Sequence, residues 1–156
     1  MVSDMAGDRQ LSILIADPHE DAAGSLAELL RLYGHDATVV RSGEEALVSA
    51  AESPPDVLIV ELRLPDMDGC ELAKRMRANA VSRFYCIAVT TSGRPPDRSR
   101  SLAAGIVLHL IKPVEPDSLL NALAGIARLR PEKLKQVRSD RSGDWRRNYR
   151  LDGKMT

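Results

Sequence analysis

Aromatic residues are scarce in this chain of 156 residues: one Trp, one Phe and three Tyr, 3% in all. A core made with so few rings must be filled by Leu, Val, Ile, Ala and Met, which suits layered α/β packing better than an aromatic-rich β-sandwich. Cysteine is scarcer still. Cys70 and Cys86 show no CxxC spacing and no histidine cluster beside them, which excludes a zinc knuckle or a disulfide framework. Two reduced thiols in a cytoplasmic protein are expected. No apolar run approaches the ~20 residues that span a bilayer, and there is no signal peptide, so no membrane role is expected. The GxSxG, P-loop and HExxH motifs are all missing, and the chain is not expected to be an enzyme.

Net charge is also lacking: 22 Lys/Arg balance 22 Asp/Glu. The balance is not local. Residues 131–156 hold eight basic groups against four acidic, leaving fourteen against eighteen in the rest of the chain. One domain of ordinary size is therefore expected over 11–130, between a polar leader (1–10) and a basic C-terminal tail (131–156).

Within 11–130, short apolar runs alternate with helical periodicity. The runs SILIA at 12–16, ATVV at 37–40, VLIVE at 57–61, CIAVT at 86–90 and VLHLI at 107–111 read as strands covered on both faces. Ala22, Leu26, Leu29, Leu30 and Tyr33 are spaced for a helix that Gly34 ends. Ser42 and Glu45 suggest a capping box opening a helix over 43–52. Further helices are predicted over 71–78 and 96–104. A closing helix starts at Pro116 and carries Leu119, Leu120, Leu123 and Ile126. Five strands alternating with five helices imply a doubly wound, five-stranded parallel sheet of flavodoxin-like order 2-1-3-4-5. Ligand-binding residues in such folds lie beyond the carboxyl ends of the strands.

Those ends carry Asp17, Glu61, Thr90 with Thr91, and Lys112. Two carboxylates, hydroxyls and an ammonium from four separate elements would meet on one rim. The segments ILIADPHEDAAGSLAELLRLYGH, PDVLIVELRLPDMDGCELAKRMRA, IAVTTSG and HLIKPVEPDSLLNAL resemble, in this order, the receiver domains of two-component response regulators. The resemblance covers about Ser12 to Ala127. It implies a receiver-type (βα)5 domain, a phosphoacceptor Asp ending the third strand and an Mg²⁺-binding acidic pair after the first. It also implies a switch hydroxyl after the fourth strand and a Lys after the fifth, which together with the metal neutralise charge on the phosphoryl group.

Mapped onto this sequence, Thr90 takes the switch hydroxyl, Lys112 the cation, Asp17 the first acid, and His109 the place of a rotating aromatic. Two positions depart from the pattern. Glu61 stands where the phosphoacceptor Asp is expected, and Pro18 replaces the second acid. Glutamate carries its carboxylate outward by roughly a bond length, towards the phosphoryl position, where it can pair with Lys112. Proline offers no oxygen to a hard cation. No metal or cofactor is expected, with Asp17 and Glu61 as at most weak Mg²⁺ candidates.

The expectation is a pseudo-receiver: a single-domain, phosphorylation-independent response regulator acting by protein binding. Glu61 either mimics the phosphorylated state or marks an inactive one. The resemblance points to a histidine kinase or another receiver as partner, or to a homodimer through the fourth and fifth helices. Two rival readings stay open: a weakly phosphorylatable receiver using Glu61 and Mg²⁺, and nucleic-acid binding through the tail. The tail's WRRNYRL offers Trp145 and Tyr149 as contact residues among arginines. Without aromatic interleaving, Arg94, Arg98 and Arg100 read as a solvated helix face, and nucleic acid is not the expected partner. His19 and His35 read as solvated surface residues, and His109 as a packed one beside the switch surface.

Overall fold

The computed structural model describes residues 9–80, 82–91 and 98–129. Residues 1–8 of the leader, Arg94 and the tail with Trp145 and Tyr149 lie outside them. Ten elements follow in strict alternation: β1 (Ser12–Ala16), α1 (Glu20–Leu32), β2 (Asp36–Val40), α2 (Gly43–Glu52), β3 (Val57–Glu61), α3 (Gly69–Asn79), β4 (Tyr85–Thr90), α4 (Arg98–Ala104), β5 (Ile106–Ile111) and α5 (Pro116–Ala127). The strands form one parallel sheet in the order β2-β1-β3-β4-β5.

Period-two alternation sorts the strand residues onto two cores. Ile13, Ile15, Val57, Ile59, Ile87 and Val89 face α1 and α5, where they meet Ala23, Ala27, Leu30, Leu119, Leu123 and Ile126. Leu14, Ala16, Leu58, Val60, Cys86 and Ala88 face the other way, onto Ala46, Leu72, Ala73, Met76 and Ala104 of α2, α3 and α4. β3 and β4 are buried along their whole length, which is why their sequences are unbroken apolar runs.

Local chemistry sets the element ends. Gly34 has φ +90°, a left-handed conformation that glycine takes without a Cβ penalty, and its N–H bonds Arg31 O as α1 closes. The expected capping box at α2 forms in half. Ser42 Oγ accepts from Glu45 N at 3.2 Å, but the Glu45 carboxylate accepts from Arg41 N rather than from Ser42. His35, read as a surface residue, is buried at 4% exposure: its Nδ1 accepts the Leu11 N–H as the chain enters β1. The ring closes a backbone donor that would otherwise be buried unpaired.

Candidate functional site

β1 and β3 are neighbours at the middle of the sheet, and β4 and β5 follow on one side, so the loops after these strands open onto one rim. Asp17 leaves β1 with its N–H still held by Val40 O of β2. Pro18 has no N–H, and the next donor, His19 N, bonds Asp17 Oδ1 at 2.8 Å. His19 thereby caps α1 by position, and its ring Nδ1 returns to the same Oδ1 at 2.9 Å. From β3 comes Glu61, whose side chain is 1% exposed, with Oε2 accepting from Arg63 N at 3.3 Å. Lys112 follows β5, positioned by its own N–H on Thr90 O at 2.8 Å.

The ammonium of Lys112 lies at the centre of this group. It is 2.7 Å from Asp17 Oδ2, 3.1 Å from Glu61 Oε1 and 3.0 Å from His19 Nδ1. Asp17, Glu61 and Lys112, named from sequence, are therefore in one network, and the Glu61–Lys112 contact is a hydrogen-bonded ion pair. Thr90 is buried beside them at the end of β4. His19 was missed: its ring is half exposed, as a solvated residue would be, yet it belongs to the network. The one signal for it was its place two residues beyond Asp17.

The oxygen and nitrogen atoms of Asp17, His19 and Glu61 all lie within 4.8 Å of one another, close enough to ligate one ion. The set does not fit Mg²⁺. That ion takes oxygens in near-octahedral geometry and keeps several waters, whereas Pro18 adds no oxygen, His19 offers nitrogen, and an ammonium fills the space between the carboxylates.

His109 lies off the network. Cys86 pairs with Ile106 but Ile87 with Leu108, so a bulge inserts Val107 into β5. The extra residue turns His109 to the α4 side, opposite Ala88, where its Nε2 meets Ser101 Oγ at 2.9 Å. Burial pushes the ring's pKa below its usual 6.5. Arg100 of α4 is less free than a solvated face implies: it pairs with Asp68 at 3.0 Å.

The sequence pattern of the response regulator receiver domain matches residues 13–124. The chain belongs to the response regulator receiver family. Among curated relatives, the receiver is 34% identical over 122 residues to the sensory/regulatory protein RpfC of Xanthomonas campestris. It is 33% identical over 117 residues to the sensory transduction protein RegX3 of Mycolicibacterium smegmatis. These matches take in 76% and 75% of this chain but 17% and 50% of the relatives, so the chain spans half or less of their length. Solved receivers superpose over their whole length. The CheY-like domain from Methylobacillus flagellatus matches at 28% identity and TM-score 0.68, covering 77% of this chain and 99% of that one. CheY4 of Vibrio cholerae matches at 25% identity and TM-score 0.67, covering 75% and 98%. Like those receivers, this one is a two-component signalling module on a flavodoxin-like sheet. None of its described helices is long and apolar enough to cross a membrane.

Proposed function

We propose that this receiver signals by docking on another protein without being phosphorylated, with Glu61 and Lys112 as a permanent internal substitute for the phosphorylated pair. The observation that carries this reading is the position of Lys112 Nζ, in contact with Asp17 Oδ2 and Glu61 Oε1 together. The ammonium already has two anionic partners, so a phosphoryl group would have to compete with them for it. In-line phosphoryl transfer tolerates misplacement of well under an ångström or so, and Glu61 starts one methylene out of place. Glu61 stands for the phosphorylated aspartate rather than for an inactive one, because the cation and the switch hydroxyl of Thr90 are both retained.

The partner class follows from the family: a histidine kinase or a second receiver, as the two-component setting of the relatives suggests. A homodimer through α4 and α5 belongs to the same reading. The test is intact mass after incubation with a small phosphodonor and excess Mg²⁺, on the wild type and on Glu61→Asp with Pro18→Asp. Phosphate on the double variant alone supports the proposal. Phosphate on the wild type overturns it and leaves Glu61 as a slow acceptor.

A further inference from the structure

Between α1 and the start of α5 the surface opens into a cleft of about 510 Å³. Its floor is Ile15, Ile59 and Val89 of the sheet, and its walls include Leu26, Leu29 and Val114. The ion network closes its upper end. A monomeric domain rarely leaves so deep an apolar recess at the surface without an occupant.

The exposed face of α1 beside the cleft is acidic. Asp21, Ser25 and Glu28 follow at i, i+4 and i+7 on α1, beside the apolar row Ala22, Leu26 and Leu29, and Ser25 itself lines the opening. Asp117 is exposed in the first turn of α5, just after Pro113 and Val114 of the cleft wall. A fitting occupant pairs large apolar groups with cations at close spacing. The chain supplies one. Residues 131–156 carry a surplus of four positive charges against an equal deficit in the rest, and WRRNYRL sets Trp145, Tyr149 and Leu151 among three arginines. The Trp145–Tyr149 spacing of four puts both rings on one side of either a helix or an extended strand.

Reach is sufficient. α5 runs from the rim towards the opposite end of the sheet, so the tail departs at the lower end of the cleft. Trp145 is sixteen residues beyond Leu129, the last described residue. Sixteen residues extend up to about 50 Å, while the twelve-residue helix to be retraced is about 18 Å long.

We propose that the C-terminal tail folds back into the α1–α5 cleft of its own receiver, with Trp145 and Tyr149 on the apolar floor and Arg146, Arg147 and Arg150 on the acidic face of α1. Seated there, it covers the α1 side of the site and competes with any partner that docks on that face. The inference is independent of whether Glu61 accepts phosphate.

Trp145 is the only tryptophan in the chain, so the chain carries its own probe. Acrylamide quenching and the emission maximum would be measured on the wild type, on Ala22→Arg, on the pair Asp21→Lys with Glu28→Lys, and on Leu32→Arg. Ala22 and both acids are exposed on α1, so the variants keep the fold, which far-UV circular dichroism checks. Leu32 is exposed on the same helix but does not line the cleft. Expected is a wild-type tryptophan protected relative to N-acetyltryptophanamide and blue-shifted. Protection is lost in Ala22→Arg, weakened by salt and by the charge-reversal pair, and kept in Leu32→Arg. Three results would overturn the proposal: a wild-type indole as quenchable as the free compound, protection unchanged in Ala22→Arg, or protection that fades on serial dilution, which would assign the cleft to another copy's tail.

Discussion

Glu61 and Lys112 meet at 3.1 Å with Glu61 all but sealed from water. Breaking a buried pair by deleting one partner is far costlier than replacing both, because the survivor stays desolvated without compensation. Lys112→Met should therefore destabilise the receiver by about 3–5 kcal/mol in urea unfolding, whereas Glu61→Gln with Lys112→Met should recover only the part due to Glu61, because Asp17 still loses its ammonium at 2.7 Å. A Lys112→Met protein within about 1 kcal/mol of wild type, as for an exposed pair, would remove the network's structural role. His109 supplies a test in pH. Its folded pKa is held below the unfolded value by burial, so the folded state binds fewer protons as pH falls through the usual 6.5 towards the lowered value. Stability contributed by the neutral ring is present above 6.5 and lost below it. Unfolding midpoints compared between pH 8 and pH 5.5 should fall for the wild type by more than for His109→Gln, which has no ring to titrate. Equal falls would assign the pH dependence to other groups.

The loop between β3 and α3 shows how one short motif serves several elements. Asp66 accepts from the N–H groups of Gly43 and Glu44 at 2.8 and 2.9 Å, capping α2 from outside that helix, and the first of these bonds is the main cause holding its carboxyl below the usual range. Asp68 caps α3 through Cys70 N at 2.7 Å and takes Arg100 from α4 on its other oxygen. Asp68→Ala should cost about 1 kcal/mol, near the typical value for a lost N-cap, read as a lowered urea midpoint at unchanged slope. Gly69 is required by space rather than by φ: a Cβ there would lie 2.8 Å from Glu61 O and 2.9 Å from Leu62 Cα, both backbone atoms. Gly69→Ala must push the end of β3 aside, at roughly 1–3 kcal/mol, and amide shifts at Glu61 and Leu62 should report it. An unshifted Glu61 amide would show that the helix yields instead. The sequence announced this loop through its resemblance to receivers, but a linear motif does not reveal that its two aspartates cap different helices. Nor does it show that Arg100 is tied to one of them.

At the scale of the whole molecule, β1, β3 and β4 were legible because burial on both faces leaves an unbroken apolar signature, whereas the edge strands β2 and β5, expected to be covered on both faces, are partly exposed. Right-handed crossovers left few strand orders, the flavodoxin-like one among them is the one observed, and that order brings Asp17, Glu61 and Lys112 together. What stayed hidden depended on contacts distant in sequence. His35 is buried because it serves Leu11, 24 residues away, and the face of His109 depends on one inserted residue, Val107. The two cysteines offer a measure of how far the assembled sheet behaves as one unit. Cys70 on α3 and Cys86 on β4 share the α2–α4 core, and both are shut off from solvent. Burial raises the thiol pKa of both, that of Cys86 to about 12, so the native state presents almost no thiolate to a disulfide reagent at pH 8. If the two helical layers unfold together, both thiols should label at one rate, set by global opening. Each ~1.4 kcal/mol of stability removed by urea should then speed labelling tenfold. Mass spectrometry of partly labelled protein distinguishes the cases, because cooperative opening yields unlabelled and doubly labelled chains with little between. A singly labelled species that accumulates at a rate flat in urea would mean that α3 detaches from the sheet on its own, and that the Asp68 cap is too weak to hold it.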